Sequence, residues 1–137
     1  MSDIYYTNYT YDEVTDILDK IKMCVTNDRY IFSQGDSRKE NIEFIADYGL
    51  SETERKNILL RIETEDFCYG LQNKKPGYEH EVLYVFCPQE RLTYGYVTSF
   101  VDIYTKFNIV NNNMVVVISF HKRNHPIDYL FGNKSKE

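Results

Sequence analysis

The stretch Val101–His121, VDIYTKFNIVNNNMVVVISFH, decides the fold because it carries the pattern of a β-hairpin. Apolar and polar residues alternate over nine positions, three asparagines follow at 111–113, and a second β-rich run returns. Alternation places the odd-numbered residues of the first run on one face of a sheet and the even-numbered residues on the other. The apolar face contains Val101, Ile103, Thr105, Phe107 and Ile109, and the polar face contains Asp102, Tyr104, Lys106 and Asn108.

Pairing of the two runs brings chemically active residues to the polar face. We expect a two-residue type I′ turn at Asn112-Asn113, which sets the register of the hairpin. A register shifted by one residue would set the polar face against Ile118, Phe120 and Lys122, which is a poorer match. The favoured register places three pairs side by side: Tyr104 with His121, Lys106 with Ser119, and Asp102 with Arg123.

The composition is typical of a globular domain. At 137 residues, with 42% hydrophobic and 27% charged residues, the chain can bury roughly two thirds of its unfolded surface. Thirteen Tyr and eight Phe with no Trp indicate a β-rich core with many half-buried hydroxyl groups. We expect a single domain over residues 1–137, with a frayed tail from about residue 132.

The sequence shows no signal for export or membrane insertion. The amino terminus, MSDIYYTNYTYDE, carries acidic residues and no apolar core, unlike a signal peptide. No uninterrupted apolar run approaches the roughly 18 residues of a membrane span. Cys24, Cys68 and Cys87 are odd in number and widely spaced, which fits reduced thiols better than disulfides or zinc. We therefore expect a cytoplasmic protein with no membrane partner.

The charge balance limits the classes of partner. Asp and Glu exceed Lys and Arg by 21 to 16, and this net charge of -5 argues against broad coating of a phosphate backbone. A small basic cleft stays compatible with this balance, because residues 106–136 are locally basic. They contain Lys106, Lys122, Arg123, Lys134 and Lys136 against Asp128 alone.

Three helices are predicted ahead of the main strands. Capping boxes at Thr10–Glu13 and Ser51–Glu54 predict helices over about 11–26 and 52–62. A turn at residues 34–36 precedes a helix over roughly 38–47. Arg38 and Lys39 at its start are candidates to reach a ligand, but the favoured interpretation is that they face solvent. Residues 28–32 are predicted to form a short extended piece. Strands are predicted at 82–87 and 92–97, before the hairpin.

This order of elements predicts an α+β fold, in which N-terminal helices pack on one face of a three- to five-stranded antiparallel sheet. The apolar face with Ile103 and Phe107 should then meet the helices. The face with Tyr104 and His121 should be open or partly open. An apolar group after Pro126 should pack back on the core.

Common catalytic and ligand-binding motifs are missing from the sequence. It has no nucleotide-binding loop, zinc-protease or serine-hydrolase signature. His80, His121 and His125 lack the spacing and the paired acid of a metal site, so we expect neither a metal nor a cofactor. Taken singly, His121 is most often a strand-end residue, Lys106 a solvated charge and Tyr104 a packing residue.

Taken together, the three side chains suit proton transfer, because an imidazole that titrates near neutral pH lies beside a phenol and an ammonium group. Cleavage of RNA by its own 2′-hydroxyl needs a base, an acid and a cation for the phosphorane, and no metal. His121 is the candidate for proton exchange, Tyr104 for donation to oxygen and Lys106 for charge stabilisation. Arg123 is an alternative cation, and Ser119 and Lys122 are further candidate substrate contacts.

Several short motifs occur in an order that resembles a known family. They are "YGLSETERKNILLRIETEDFCYGL", "HEVLYVFCPQ", "VDIYTKF" and "VVVISFHK", over roughly residues 38–122. The order resembles the MqsR-type toxins of bacterial toxin–antitoxin systems, within the RelE-like ribonuclease fold. The resemblance implies a small α+β fold with a central antiparallel sheet and metal-independent cleavage of an RNA substrate. It also implies inhibition by a cognate antitoxin protein.

The resemblance further implies roles by position. The active-site tyrosine of the family falls on Tyr104, and its lysine after the "SF" pair falls on His121, which retains a proton-active group. The glutamine before the family's "VY" strand falls near Glu81, which adds a negative charge. The lysine after its "DF" pair falls on Tyr69, which loses a cation. Glu81 and Tyr69 are therefore candidate substrate contacts that depart from the family pattern.

A second hypothesis is a non-catalytic interaction protein on the same fold, such as a phage or mobile-element inhibitor of a host nucleic-acid enzyme. The acidic balance and the many tyrosines fit this hypothesis, since exposed Tyr makes adaptable interfaces and carboxylates can mimic phosphates. A purely structural domain is a third. Catalysis requires the side chains of Tyr104, Lys106 and His121 to converge, whereas binding does not. No pattern in the sequence indicates the oligomeric state.

Overall fold

The computed structural model describes residues 3–33 and 38–132 of the chain. The predicted turn at 34–36 and the predicted frayed tail beyond residue 132 lie outside these residues. Within them, the chain forms a mixed α+β structure with three α-helices and a seven-stranded sheet. No helix in the described part combines the length and the apolar character needed to cross a bilayer.

Short strands and helices alternate in the first half of the chain, and longer strands follow. In chain order, the elements are β1 (Tyr5–Tyr6), α1 (Tyr11–Thr26), β2 (Tyr30–Phe32), α2 (Lys39–Asp47), α3 (Glu52–Leu60), β3 (Phe67–Gln72), β4 (Val82–Phe86), β5 (Gln89–Tyr94), β6 (Val97–Val110) and β7 (Met114–Lys122).

The sheet has the strand order β1-β3-β4-β6-β7-β2, and β5 extends from it by pairing with β6. The described pairs are antiparallel except for β2 with β7, which is parallel. The prediction of three to five antiparallel strands is therefore wrong in number and in the direction of β2. The edge strands β1 and β2 contain two and three residues, too few for an alternation pattern to reveal them. Whether β2 runs parallel to its neighbour depends on the path of the chain that connects them, which the local pattern does not show.

Two of the helices begin where predicted because their capping boxes are complete. Thr10 Oγ1 accepts the Glu13 N–H at 3.1 Å, and the Glu13 carboxylate accepts the Thr10 N–H at 2.8 Å. Ser51 and Glu54 form the same two bonds at the start of α3. Such a cap residue is worth about 1 kcal/mol. The middle helix, α2, begins without a side-chain cap.

Buried side chains form two clusters. The main core joins the helices to β6 and β7, and it includes Val14, Leu18, Ile21, Phe44, Ile58, Ile103, Phe107, Val117 and Phe120. The second cluster contains Cys68, Val85, Cys87 and Tyr104. The apolar group after Pro126 packs on both, with Leu130 and Phe131 on the main core and Ile127 and Tyr129 on the second cluster. The predicted return of this segment to the core is confirmed.

The hairpin of β6 and β7 has the predicted register at its polar end. Tyr104 lies opposite His121 and Lys106 opposite Ser119, and the Arg123 N–H donates to the Asp102 carbonyl at 2.9 Å. The predicted two-residue turn at 112–113 is wrong, because Val110 pairs with Met114 across a three-residue loop. Asn111 and Asn112 adopt positive φ angles of 53° and 58° in that loop, a conformation that Asn tolerates better than most residues. The pairing shifts by one residue between Lys106 and Phe107. This β-bulge compensates the difference between the predicted two-residue turn and the observed three-residue loop.

Asn41 of α2 bonds to the outer edge of β7 beside this bulge. Pairing of β2 with β7 ends at Phe32 and Val117. Beyond that point, the Asn41 amide donates to the Ile118 carbonyl and accepts the Phe120 N–H, both at 2.9 Å. One buried side chain therefore satisfies two backbone groups that β2 leaves unpaired, and it ties α2 to the polar end of the hairpin.

A two-stranded arm continues the hairpin of β4 and β6 beyond the sheet. Tyr84 pairs with Phe107 and Gln89 with Asp102, so β4 and β5 follow one register along β6. The predicted strand over 92–97 is wrong, because Tyr94 pairs with Val97 across a turn at Gly95 and Tyr96. Gly95 has a φ of +64°, which suits glycine because it has no Cβ. The arm exposes much of Tyr94, Tyr96 and Phe100.

Candidate active site

Three of the predicted site residues converge on the polar face of the hairpin. The rings of Tyr104 and His121 stack with centroids 5.5 Å apart and planes 24° from parallel. Lys106 Nζ lies 5.9 Å from the centroid of the Tyr104 ring. The cross-strand pairing of β6 and β7 produces this arrangement, because each side chain leaves the same face of adjacent strands.

Tyr104 is a buried phenol with a phenol partner. Its side chain is 6% exposed, and its hydroxyl lies 3.0 Å from the hydroxyl of Tyr69 on β3. Burial raises the pKa of Tyr104 well above its ordinary value, and the Tyr69 hydroxyl raises it further. Burial also raises the pKa of Tyr69. Both phenols are therefore protonated at neutral pH, and one O–H of the pair is free to donate to a ligand.

Lys106 is a half-buried cation on the polar face of β6. It lies opposite Ser119, which is buried. Burial lowers the pKa of Lys106, and the nearby positive charge of Arg38 lowers it further, while Asp3 acts in the opposite direction. No hydrogen bond or ion pair joins its ammonium group to another residue in the described ranges. An anion placed beside Lys106 would therefore bind to a group that has no competing partner.

The hydrogen bond of His121 determines which nitrogen carries its proton. Nδ1 lies 2.9 Å from the carbonyl oxygen of Lys122. A carbonyl only accepts, so Nδ1 must donate, and Nε2 of the neutral ring carries the lone pair that a general base needs. The Glu40 carboxylate lies 4.0 Å from Nδ1.

The segment after β7 covers part of this face. The His125 ring packs edge-on against Tyr104 at 5.1 Å, and the Tyr129 hydroxyl donates to the Cys87 carbonyl at 2.8 Å. The expectation of an open or partly open face is therefore wrong at Tyr104, and the His121 side chain is only 11% exposed. The apolar residues after Pro126 pack on this side of the sheet as well as on the main core, which explains the difference.

The remaining predicted site residues take different positions relative to the cluster of Tyr104, Lys106 and His121. Tyr69 and Ser119 contact the cluster, as described above. Arg123 pairs with Asp102 at 3.2 Å, which balances its charge. Glu81 accepts hydrogen bonds from Asn73 at 3.0 Å and Asn108 at 3.3 Å. Lys122 lies opposite Ile103, on the other face of the hairpin, and is exposed.

Sequence reasoning considered Arg38 as a ligand contact and favoured a solvent-facing role, which is wrong. Its Nε is buried and has no hydrogen-bond partner among the described residues. Its positive charge also lowers the pKa of Lys106. The position of α2 against β7 accounts for this interaction. A basic residue at the start of a helix, where the dipole disfavours it, was the only available signal.

Comparisons with protein-family models, with curated proteins and with solved structures found no match to this chain. The resemblance to MqsR-type toxins therefore stays a prediction. Within residues 3–33 and 38–132, no group of three or more His, Cys, Asp or Glu side chains is placed to bind a metal ion.

Proposed function

We propose that this protein is an endoribonuclease that cleaves RNA through attack of the ribose 2′-hydroxyl, without a metal ion. The observation that carries the proposal is the convergence of Tyr104, Lys106 and His121 on one face of the sheet. These side chains combine a proton acceptor, a proton donor and a cation, which is the set that this reaction requires.

Each step of the reaction has a candidate group. His121 Nε2 takes the proton of the 2′-hydroxyl, and the 2′-oxygen forms a bond to phosphorus. Lys106, together with Arg38, stabilises the charge on the phosphorane. The bond from phosphorus to the 5′-oxygen then breaks, and this oxygen receives a proton from the Tyr104–Tyr69 pair. The products carry a 2′,3′-cyclic phosphate and a 5′-hydroxyl. General acid–base catalysis of this kind is worth about 10²–10⁴ in rate.

The proposal assumes that the helices cover the apolar face of the sheet, and that the substrate binds on the part of the opposite face that the segment after Pro126 leaves uncovered. The core contacts support this assumption. Helix residues such as Val14 and Phe44 pack in the cluster that contains Ile103 and Phe107. The cluster around Tyr104 draws its described members from strands and from the segment after Pro126.

The proposal is tested with purified protein and RNA in the presence of a chelator. We expect cleavage by the wild type, a loss of about 10²-fold or more in His121→Ala, and 2′,3′-cyclic ends on the products. A single 2′-deoxy substitution at the cut position should block cleavage there. His80→Ala, a change of the same kind away from the cluster, is the matched control. Equal rates for His121→Ala and the wild type would remove the hypothesis.

A cognate antitoxin and a cytoplasmic location belong to the same proposal. The resemblance to MqsR-type toxins supports the antitoxin, and the three buried free thiols fit a reducing compartment. Expression of the wild type alone should arrest growth, whereas His121→Ala should not. Co-expression with the antitoxin should restore growth and yield a complex of the two proteins.

The exposed arm favours a second candidate function, binding without catalysis. Tyr94, Tyr96, Val97 and Phe100 are all exposed on this arm, and exposed aromatic residues are typical of binding surfaces. A protein of this kind would bind its partner equally well with His121→Ala. RNA cleavage by the wild type in a chelator would exclude it as the sole function.

A further inference from the structure

A groove of about 370 Å³ leads from His121 to the arm. It lies between α2 and the ends of β5 and β7. Its lining residues are Glu40, Glu43, Phe44, Asp47 and Tyr48 on and just after α2, Tyr94 on β5, and His121, Lys122, Arg123 and Asn124 at the end of β7 and just beyond it. The groove is therefore continuous with the candidate base of the proposed nuclease.

The two ends of the groove differ in chemistry. At the arm end, the rings of Tyr48 and Tyr94 meet edge to face with centroids 5.5 Å apart, and Tyr94 is 55% exposed. Glu43 and Asp47 also line the groove, and the Glu43 carboxylate lies 3.9 Å from the Lys39 ammonium group. At the His121 end, the ammonium group of Lys122 forms no ion pair or hydrogen bond within the described part of the chain, whereas Arg123 is paired with Asp102.

We infer that this groove binds one nucleotide of the RNA, with its base at the arm end and its phosphate at Lys122. This inference rests on the proposed ribonuclease function and adds a base-binding subsite to it. Exposed tyrosine rings stack on nucleobases, and a lysine attracts a phosphate. A ligand with a flat polar ring at one end and an anion at the other matches both ends. The continuity with His121 places the bound nucleotide next to the reacting phosphate.

The two carboxylates predict which bases bind. A carboxylate accepts hydrogen bonds from an exocyclic amino group, as Asp and Glu do from cytosine N4. Uracil presents carbonyl oxygens where cytosine presents this amino group, so Glu43 and Asp47 would repel it. The groove therefore selects bases that carry an amino group over uracil.

Binding of 2′-O-methyl tetranucleotides tests the inference, because these probes cannot be cleaved by the 2′-hydroxyl route. Fluorescence anisotropy with labelled oligo-C, oligo-A and oligo-U should show tighter binding of the first two. Tyr94→Leu keeps an apolar contact with Tyr48 and removes the stacking ring, and should weaken oligo-C about 10-fold or more. Tyr78→Leu, at an exposed tyrosine in the loop between β3 and β4, should change affinity less than about 2-fold. Asp47→Asn should narrow the preference for oligo-C over oligo-U, whereas Asp19→Asn on α1 should leave it intact.

The outcomes separate this inference from the proposed function. Selective binding that depends on Tyr94, without cleavage of unmodified RNA, supports the groove and overturns the nuclease. Cleavage that depends on His121, with unchanged binding in Tyr94→Leu and Asp47→Asn, overturns the groove alone. Binding of an arginine-rich peptide in place of all three oligonucleotides, again lost in Tyr94→Leu, would make the groove a peptide site and would also overturn the inference. Circular dichroism of each variant verifies that it is folded.

Discussion

Two parts of β6 lie in opposite environments. Residues 97–100 form one side of the arm and are exposed, whereas residues 101–107 are buried or half-buried, with residues 105–107 lying between β4 and β7. Tyr104 is 6% exposed, and Tyr96, at the tip of the arm, is fully exposed. Neighbouring strands, rather than the residues of β6 themselves, account for the difference. The proposed proton chemistry lies in the buried part, and the proposed base recognition involves Tyr94 of β5, which pairs with Val97 in the exposed part.

The largest expected difference between these two parts of β6 is in how much a Phe→Ala substitution lowers the free energy of unfolding. Phe107 is fully buried between β4 and β7, and Phe100 is 45% exposed. Phe107→Ala should cost about 3–5 kcal/mol of the free energy of unfolding, because it leaves a cavity in the core. Phe100→Ala should cost less than about 1 kcal/mol. Urea unfolding of both variants measures the contrast, and similar losses would contradict the assignment of the two environments.

The polar end of the hairpin should depend strongly on Asn41. Its replacement by Ala would leave the Ile118 carbonyl and the Phe120 N–H without their partner, at a cost of about 1–3 kcal/mol. Hydrogen exchange of the Phe120 amide should become faster. Asn57→Ala, on the exposed side of α3, is the matched control. Unchanged protection of Phe120 in Asn41→Ala would argue against this role.

A smaller difference in stability is expected when the hydroxyl group is removed from Tyr104 or from Tyr96. Tyr104→Phe removes the hydrogen bond to Tyr69 and should cost about 1 kcal/mol, because the Tyr69 hydroxyl loses its partner in a half-buried site. Tyr96→Phe, at the exposed tip, should cost less than about 0.5 kcal/mol. The two variants differ from the wild type by the same single oxygen, so thermal unfolding compares the environments directly.

The smallest expected effect is the pH dependence contributed by Lys106. Burial and the Arg38 charge lower the pKa of Lys106 below its ordinary 10.5, so the unfolded chain binds more protons than the folded chain between the two values. This group therefore makes the wild type gain stability as pH rises through that window. Lys106→Met removes the titration, so its stability relative to the wild type should be greatest at neutral pH and should decline toward pH 10.5.

Urea unfolding at several pH values between 7 and 10.5 measures this difference. Lys122→Met, at the exposed end of β7, controls for the loss of a lysine as such. A relative stability of Lys106→Met that stays constant or rises with pH would show that folding does not disfavour the Lys106 ammonium group. The stability of Lys106→Met is expressed relative to the wild type at each pH because the buried tyrosines titrate in both proteins at high pH, and the subtraction removes their contribution.

Local patterns predicted the elements whose signals are complete within a few residues. The capping boxes at Thr10 and Ser51 located two helix starts, since both partners of each box lie within one turn. The alternation along β6 predicted which residues share a face, and the pairing of Tyr104 with His121 followed from it. The strand over 92–97 was wrong because the apolar pattern continues across the turn at Gly95.

The site was predictable only in part, because its members come from distant segments. The pairing of β6 with β7 brought Tyr104, Lys106 and His121 together, and both strands belong to one hairpin. Arg38 and Tyr69 join them from α2 and β3. Nothing in the local pattern around either residue indicates where its own element packs.

The sequence by itself determined the helix starts, the alternation of β6 and the register at the polar end of the hairpin, because these depend on interactions between residues close along the chain. Only the tertiary structure decided which tyrosine is buried and where the groove lies. It also decided which cation lowers the pKa of Lys106. Burial and charge depend on what packs against a residue from elsewhere in the chain, so a phenol at Tyr104 and a phenol at Tyr96 differ only once the sheet, α2 and the segment after Pro126 have assembled.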